Sequence, residues 1–577
     1  MNDKTTGRGL LSGLTSTGDR ALSAFLRRSF ASSMGYSRDM LDRPIVGVAH
    51  SASGFNSCHR HFPELIEAVE RGVLAAGALP IAFPTISLGE LFLSPTSLKF
   101  RNLMSIDVEE MIRAQPMDAV VLVGGCDKTV PAQLMGAASA DVPAIQLVAG
   151  PMSTSRHRGE RLGACTDCRR FWAKFRAGEI ERDEIDAVEQ RLASTAGTCA
   201  VMGTASTMAA LAEALGMTPA GGAAIPAVDA DRLRMAEETG RVAVSLIGAD
   251  HLRPSRIMTE PAFENALRLL LAIGGSTNAI IHLTAIAGRL GLDVSLRRLN
   301  ELTDSTPVLV DLKPTGAGYM EDLHAAGGIP AVLRELRDLL RLDCVTVTGE
   351  TLGDRIERTP AWVDRAIIRP ISAPVRDNGG LVALFGNIAP RGAVMKRSAA
   401  DPDLFEREGR AVAFESVEDL AARIDDPALD AAADDFLVLK NAGPTSAVAM
   451  PEAGYLPIPA KLAKAGVKDM VRISDARMSG TAYGTIVLHV APDAASGGPL
   501  ALVRSGDRIR LSVRNRRLEL MVDQLELDRR RAESPSSAAA PPPRGYSRLY
   551  QEQILQADEG CDFKFLRAPK EAETGER

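Results

Sequence analysis

The sequence lacks the features that mark membrane, secreted and nucleic-acid-binding proteins. No apolar run is long enough to span a bilayer, and the first twenty residues lack the basic-then-apolar pattern of a signal peptide. Lys and Arg number 67 against 73 Asp and Glu, and the net charge of -6 gives no support for nucleic acid or an anionic membrane as a partner. These absences predict a cytoplasmic protein with neither nucleic acid nor a membrane as its partner.

Cysteine is also scarce, with seven residues spread widely over 577 positions. An odd, scattered set in a large chain argues against a disulfide framework and predicts reduced thiols, some of them free to bind metal. Hydrophobic residues make up 45% and charged residues 24%, with 4% aromatics, which is the composition of a soluble globular protein. A chain of 577 residues is too long to fold around a single hydrophobic core, so we expect at least two domains.

The stretch from Asp118 to Pro131, DAVVLVGGCDKTVP, is the centre of the predicted fold. Ala119 to Val123 is a short aliphatic run ended by glycines, as in a strand buried on both faces. Cys126, Asp127 and Lys128 follow just past the carboxyl end of this strand, where open α/β sheets bind ligands. Taken alone, the stretch fits equally well a reduced cysteine in a turn beside a solvated Asp–Lys pair.

Strands and helices alternate around this stretch. The segments are strands at 44–50 and 143–148, an extended run at 80–90, and helices at 63–76, 103–114 and 133–140. Such alternation predicts a parallel sheet with helices on both faces. Cys58, Glu90 and Cys126 each come just after a predicted strand, so we expect them to gather at one sheet edge if those strands are neighbours.

Two further cysteine segments allow more than one interpretation. Cys165 and Cys168 form a C-x-x-C pair, but no second pair or closing histidine follows at zinc spacing, so a structural role is predicted. Cys199 lies in a glycine-bounded loop before a helix, where the helix dipole favours a thiolate. A small buried residue that packs a turn is the alternative for Cys199.

A Gly/Ser/Thr loop opens the apolar helix predicted within residues 274–288, GGSTNAIIHLTAIAG. Its free N–H groups suit a bound anion or an ordinary N-cap, and the sequence favours neither. His282 lies inside this helix and is predicted to be a core histidine rather than a ligand.

A second, β-rich domain is predicted from Gly379 onward, giving domains of residues 1–378 and 379–577. Short β-like runs follow one another there, with few strong helices between them. Two polar loops of this domain carry Glu452, Ser479 and Thr481. Residues 529–544 are predicted to be a Pro-rich connector, and the segment after them is predicted to dock back as a helix.

Several motifs together resemble the dihydroxy-acid dehydratase and phosphogluconate dehydratase family. They are NSCH with Cys58, GCDKTVPA with Cys126, GTCAVMGTASTM with Cys199, GGSTNAIIH, GNIAPRGAVMK and SDARMSGTAYGTIVLHVAP. These motifs run in collinear order from residue 45 to residue 500, so the resemblance covers most of the chain. Met478 and Thr481, with GELFLSPTS, GACTDCRR and AMPEAGYLPIP, resemble the sugar-acid branch, because the branched-chain amino-acid enzymes carry Phe and Gly at those two positions.

The resemblance implies a large N-terminal α/β domain joined to a smaller domain built around a β-barrel, with the active site between them. It implies a homodimer or homotetramer. It also implies that Cys58, Cys126 and Cys199 hold an iron–sulfur cluster, with [2Fe–2S] favoured over [4Fe–4S]. Three cysteines leave one iron without a protein thiolate, and a Lewis acid needs that open position.

The resemblance further implies a Mg²⁺ site and a base. Glu90, Asp127 and Glu452 would be the metal ligands, because carboxylates are hard oxygen ligands. Lys128, carbamylated, would be a further oxygen ligand. Ser479 would be the base, as an alkoxide, with the Thr481 hydroxyl near the substrate. A free serine is too weak an acid at neutral pH, so nearby cations would have to stabilise its charge.

The implied reaction converts a pentonate or hexonate, such as arabinonate or xylonate, to its 2-keto-3-deoxy acid and water. It needs a base for the C2 proton and a Lewis acid for the C3 hydroxyl, and the enol product then tautomerises. The alternatives within this class are dihydroxy-acid dehydratase of branched-chain amino-acid biosynthesis and phosphogluconate dehydratase. An electron carrier is the alternative from another class, but it would usually complete its cluster with four protein ligands and would not need the carboxylates or Ser479.

Overall fold

The computed structural model describes residues 8–14, 18–533 and 542–569. No helix in these ranges is long and apolar enough to cross a membrane.

A four-stranded, all-parallel sheet forms the centre of the N-terminal part. Its strands, in the spatial order β2-β1-β3-β4, are β1 (Ile45–His50), β2 (Leu79–Pro84), β3 (Ala119–Gly124) and β4 (Ala144–Val148). Strand β3 is buried along its whole length, as its aliphatic run predicts. The parallel sheet is therefore confirmed, and the carboxyl ends of its strands meet at one edge.

Helices surround this sheet, and a small hairpin of β5 (Ser155–His157) and β6 (Glu160–Leu162) follows it. The helices are α1 (Arg20–Ser32), α2 (Arg38–Leu41), α3 (Phe62–Ala75), α4 (Leu98–Ala114), α5 (Thr129–Ala140), α6 (Thr166–Ala177), α7 (Arg182–Leu192), α8 (Thr204–Ala214), α9 (Ala230–Ser245), α10 (Pro254–Ile257), α11 (Glu260–Ala272), α12 (Asn278–Arg289), α13 (Leu296–Thr303), α14 (Met320–Ala325), α15 (Gly328–Glu335) and α16 (Leu352–Arg358). Helix α3 shows why they form: Pro63 occupies its first turn, and residues at helical spacing (Leu65, Val69 and Val73) are buried against the sheet and α9.

The second sheet has eight strands and is nearly closed. In spatial order β14-β13-β9-β10-β11-β12-β8-β7, its members are β7 (Val382–Leu384), β8 (Gly392–Met395), β9 (Glu406–Phe414), β10 (Phe436–Leu439), β11 (Arg472–Ser474), β12 (Ile486–Ala491), β13 (Arg508–Ser512) and β14 (Arg517–Leu520). A bridge between Phe385 and Arg517 joins the two edge strands. The smaller, barrel-like β-rich fold expected for the C-terminal part is thus confirmed.

The remaining helices are α17 (Val417–Arg423), α18 (Ala460–Lys464), α19 (Gln524–Glu533) and α20 (Gly545–Gln553). The predicted start of the Pro-rich connector is wrong, because α19 continues through Arg529 to Glu533, supported by ion pairs between Arg529 and Glu526 and between Arg530 and Asp507. Residues 534–541 of that connector lie outside the described residues. The predicted docking of the following segment as a helix is confirmed by α20, where Lys99 Nζ donates to Ser547 Oγ at 2.8 Å.

A buried ion pair fastens this C-terminal segment to the N-terminal part. Arg289 Nε lies 2.6 Å from Asp562 Oδ2, and neither side chain is exposed to solvent. Ser105 and Ser139 accept further hydrogen bonds from the same guanidinium. A buried charge stripped of its partner is strongly destabilising.

We therefore expect Asp562→Ala to destabilise the protein by up to about 3–5 kcal/mol, because Arg289 then remains buried with only its longer contact to Glu109 Oε2 at 3.5 Å. The measurement is the shift of the urea or thermal unfolding midpoint. The matched control is Glu301→Ala, which removes one of the two carboxylate partners of the partly exposed Arg298 and should cost about 0–1 kcal/mol. Equal shifts for the two variants would contradict the prediction.

Candidate active site

Three carboxylates and a lysine meet at the carboxyl edge of the parallel sheet. Glu90 follows β2, Asp127 and Lys128 lie between β3 and α5, and Glu452 comes from a 3₁₀ turn of the second domain. One oxygen from each of Glu90, Asp127 and Glu452 lies within 4.8 Å of the others. Lys128 is fully buried, with Nζ 3.3 Å from Glu90 Oε2 and 3.4 Å from Asp127 Oδ2.

Arg477 is the cation that connects the two domains at this point. Its Nη2 atom lies 2.6 Å from Glu90 Oε1, and its Nη1 atom lies 2.6 Å from Glu452 Oε1. The side chain is fully buried and also donates to Met450 O and Thr96 Oγ1. Sequence reasoning missed Arg477, although it lies in the SDARMSG motif only two residues before Ser479.

These cations set the charge state of the carboxylates. Burial alone would raise the pKa of Glu90, but Arg477, Lys128 and the hydrogen bond from Ser97 outweigh it and hold the pKa at about 2. Burial raises the pKa of Glu452, and the nearby charge of Arg477 only partly offsets that effect. Glu90 is therefore an anion at neutral pH, as a metal ligand must be.

Cys58 and Cys126 are in contact at the same sheet edge. The contact with Cys58 and burial both raise the pKa of the Cys126 thiol, while the backbone N–H of Glu90 donates to its sulfur. The expected gathering of Cys58, Glu90 and Cys126 at one edge is thus what the structure shows.

His59, which sequence reasoning missed, holds the backbone of Cys126 in place. Its Nε2 accepts a hydrogen bond from Cys126 N at 2.9 Å, and its Nδ1 donates to Ser51 O at 2.7 Å. Burial lowers the pKa of His59 to about 3, so the ring stays neutral and keeps one acceptor nitrogen for that amide.

Cys199 lies beside the C-x-x-C pair. Its Sγ is 3.9 Å from Cys165 Sγ, and Cys168 in turn contacts Cys165. The contact with Cys165 and burial raise the pKa of Cys199. The sequence spacing did not predict this proximity, because Cys165 and Cys199 are brought together only by the packing of their loops around Ala200 and Tyr319.

Ser479 lies on the loop between β11 and β12, within the contact between the two domains. Its Oγ is 2.8 Å from Thr481 Oγ1. Three hydrogen bonds from other segments hold the loop by its carbonyls: Asn278 Nδ2 donates to Met478 O, Lys396 Nζ to Gly480 O and Thr166 Oγ1 to Thr481 O. The loop therefore has a fixed shape, and Arg477 at its start reaches the carboxylates.

The Gly/Ser/Thr loop before α12 contributes to this fixation. Ser276 Oγ accepts from Asn278 N at 3.2 Å and lies 2.8 Å from Thr204 Oγ1, so the loop caps its own helix and packs against α8. Gly480 packs directly against Ser276 and Thr204. Any side chain at position 480 would clash, because its Cβ would lie 2.7 Å from both Ser276 Cβ and Thr204 N. His282 is buried in α12 and accepts a hydrogen bond from Arg101 at 3.0 Å, as expected of a core histidine.

The donor set fits the two groups that the motifs imply. Three carboxylate oxygens within 4.8 Å of one another are the hard ligands that suit Mg²⁺. Cys58 and Cys126 are paired thiols, which suit iron. Cys199 lies close enough to them for the charge of Cys58 to contribute to the raised pKa of Cys199. The pKa values of Cys126 and Cys199 are raised, so metal binding would have to displace the protons of these two thiols.

Known proteins share these features in the same order. Residues 43–355 match the N-terminal domain of dihydroxy-acid/6-phosphogluconate dehydratases, and residues 366–561 match the C-terminal domain. The chain belongs to this dehydratase family. It is accordingly a hydro-lyase.

Within the dehydratase family, the chain is 46% identical to L-arabinonate dehydratase of Rhizobium leguminosarum bv. trifolii, covering 94% of this chain and 93% of the relative. It is 44% identical to 6-deoxy-6-sulfo-D-gluconate dehydratase of Pseudomonas putida, covering 94% of both. Dihydroxy-acid dehydratase of Syntrophobacter fumaroxidans is 39% identical, covering 92% of this chain and 96% of the relative. These values place the chain with the sugar-acid branch, as Met478 and Thr481 predict.

Proposed function

We propose that this dehydratase converts a sugar acid, a pentonate or hexonate such as arabinonate or xylonate, to its 2-keto-3-deoxy acid and water. The observation that carries the proposal is the meeting of Glu90, Asp127 and Glu452 at a sheet edge that also holds paired thiols. The Ser479 loop joins this site through Arg477. The higher identity to sugar-acid dehydratases than to dihydroxy-acid dehydratases supports the substrate class.

The proposed metal ligands are Glu90, Asp127, Glu452 and Lys128, and the proposed cluster ligands are Cys58, Cys126 and Cys199. When bound, Mg²⁺ would grip the substrate carboxylate and C2 hydroxyl, and the open iron of a [2Fe–2S] cluster would act as Lewis acid for the C3 hydroxyl. Glu90 and Asp127 belong to the first domain and Glu452 to the second, so the proposed metal ligands come together where the two domains meet.

The chain itself supplies the proton acceptor. In its alkoxide form Ser479 Oγ takes the C2 proton and becomes a hydroxyl; the proton then passes to the departing C3 oxygen, which leaves as water, and the alkoxide is restored. Thr481 Oγ1, 2.8 Å from Ser479 Oγ, can donate a hydrogen bond to the negative charge on that oxygen. The buried Arg477 guanidinium, two residues away, adds positive charge to the same loop. The three hydrogen bonds to the loop carbonyls keep Ser479 in place during the step.

The test is anaerobic purification, iron, sulfide and magnesium analysis, and an assay of 2-keto-3-deoxy acid formation. The panel contains arabinonate, xylonate, gluconate, 6-phosphogluconate and 2,3-dihydroxyisovalerate. We expect turnover of an aldonate without a phosphate. Preferred turnover of 2,3-dihydroxyisovalerate or 6-phosphogluconate would establish one of the two alternative dehydratases, and no turnover of any would contradict the proposal.

We also propose that the protein forms a homodimer or homotetramer. Light scattering during gel filtration measures the mass of the assembly and tests this proposal.

Lys128 gives a separate prediction for the metal site. If its amine is carbamylated, it becomes an oxygen ligand, and mass spectrometry of the native protein in bicarbonate should show one added CO₂. Lys128→Met should then weaken Mg²⁺ binding by about 10–100-fold or more, measured by calorimetry. The control is Lys440→Met, a buried lysine far from these carboxylates that pairs with Glu415. Unchanged Mg²⁺ affinity in Lys128→Met would contradict the ligand role.

A further inference from the structure

Lys396 differs from the other buried lysines of the described chain. Three are buried in the ranges that the structure describes, and two of them have carboxylate partners: Lys128 lies beside Glu90 and Asp127, and Lys440 lies 2.6 Å from Glu415. Lys396 is fully buried at the end of β8, and no carboxylate among the described residues lies within ion-pair distance of it.

The one hydrogen bond of the Lys396 amine in the described structure goes to the Ser479 loop. Nζ donates to Gly480 O at 3.1 Å. Burial alone lowers the pKa of Lys396 to about 7, and no charged side chain of the described residues contributes to that shift. Its neighbour in the chain, Arg397, is directed elsewhere and donates to Gly379 O. An ammonium placed here has a carbonyl to face but no negative charge.

A buried cation without a counter-charge is unfavourable, and a neutral donor could satisfy the Gly480 carbonyl equally well. The loop does not need a lysine for its shape either, because Asn278, Thr166 and the close packing of Gly480 on Ser276 already fix it. The cation therefore has a use only when negative charge develops nearby. The residue next to Gly480 is Ser479.

We propose that Lys396 is a positioning residue for Ser479: its ammonium, placed against Gly480 O, stabilises the negative charge on Ser479 Oγ. This inference rests on the proposed function, in which Ser479 is the base. Lys396 supplies the positive charge that a serine needs before it can act as a base near neutral pH. It acts through Ser479 and takes no part in metal or cluster binding.

The test compares Lys396→Met, which removes both charge and donor, with Lys396→Gln, which keeps a donor for Gly480 O but no charge. The matched control is Lys440→Met, which removes a buried lysine that donates to Val503 O, away from the loop. All are assayed as holoenzymes with iron, sulfide and Mg²⁺ content measured. We expect both Lys396 variants to lose about 10²-fold in kcat with KM and metal content unchanged.

The pH profile separates charge stabilisation from mere packing. Without the ammonium the pKa of Ser479 rises, so the acid limb of the kcat profile should move upward by about one pH unit or more in both Lys396 variants. The Tm should stay the same or rise, because an unpaired buried charge has been removed. In the Ser479→Ala background, Lys396→Met should have no further effect on the residual rate.

The outcomes are distinct from failure of the proposed function. Absence of keto acid from every aldonate with the wild-type holoenzyme would defeat the proposed function itself. If the wild type is active and Lys396→Met keeps most of the wild-type kcat with an unshifted pH profile, the inference is overturned. Full rescue by Lys396→Gln, or loss of the folded state in either variant, would also overturn it, because the lysine would then serve geometry or stability.

Discussion

Replacing Ser479 with Ala is expected to lower kcat by about 10²–10⁴-fold, because general-base catalysis contributes that much. The carboxylate of this loop, Asp475, is fully buried and already accepts hydrogen bonds from Ala442 N and Ala494 N, so we do not expect it to replace Ser479. The substitution removes one oxygen whose described side-chain contact is with Thr481. The loop is held by its carbonyls, which Ala leaves untouched, so fold, iron content and Mg²⁺ affinity should remain close to those of the wild type. The measurement is steady-state kinetics on the aldonate that the panel identifies.

The control for this substitution is Ser505→Ala, which removes an exposed serine that accepts a hydrogen bond from Ala413 N elsewhere in the second domain. It should keep wild-type kcat. A Ser479→Ala enzyme that retains roughly a tenth of the wild-type kcat with full cluster occupancy would show that another group takes the proton, since a lost base should cost at least about 10²-fold.

If the proposed iron–sulfur cluster is bound as we infer, replacing Cys126 with Ser is expected to abolish its visible absorption together with activity. Cys126 is buried, contacts Cys58 and receives a hydrogen bond from the Glu90 backbone. A serine oxygen there is a poor ligand for a cluster that thiolates hold. Absorption spectra with iron and sulfide analysis make the measurement, and Cys58→Ser and Cys199→Ser should give the same result.

Cys344→Ser is the matched control, because Cys344 is half-buried beside Asn265 and lies apart from the other thiols. We expect Cys165→Ser and Cys168→Ser to keep cluster and activity as well. The Cys165 and Cys168 variants are the more demanding part of the test, because Cys165 Sγ lies only 3.9 Å from Cys199 Sγ and could itself reach a cluster bound there. A cluster retained in Cys126→Ser, or lost in Cys168→Ser, would contradict the ligand assignment.

The parallel sheet and the edge it presents could be predicted from local patterns. A run such as AVVLVGG can be buried on both faces only as a central strand, and residues after parallel strands share one edge. The strands of the second domain were equally readable, since short β-like runs recur there without strong helices between them. Glu90, Asp127 and Cys126 were found in this way, while the roles of Glu452 and Ser479 came from the motif resemblance.

Arg477, Lys396 and the Cys165–Cys199 contact could not be predicted in the same way. Arg477 pairs with Glu90 across 387 positions of sequence, and no local pattern records such a partner. Lys396 directly follows β8, an ordinary strand of the second sheet. Only the packed structure shows that its amine donates to Gly480 O and has no carboxylate partner among the described residues. The charge environment of the site is a property of the assembled domains.

The ion pair between Glu90 and Arg477 also bears on how the protein is made. The last helix of the first domain ends at Arg358, 119 positions before Arg477, so at about 5–20 residues per second a ribosome delivers Arg477 roughly 6–24 s after that helix is complete. Domains generally fold as units during synthesis, so we expect the sheet edge with Glu90, Asp127 and Cys126 to form before the Arg477 loop of the second domain has been synthesised. In that interval these groups, the proposed metal and cluster ligands, are not yet covered by the loop that carries Arg477.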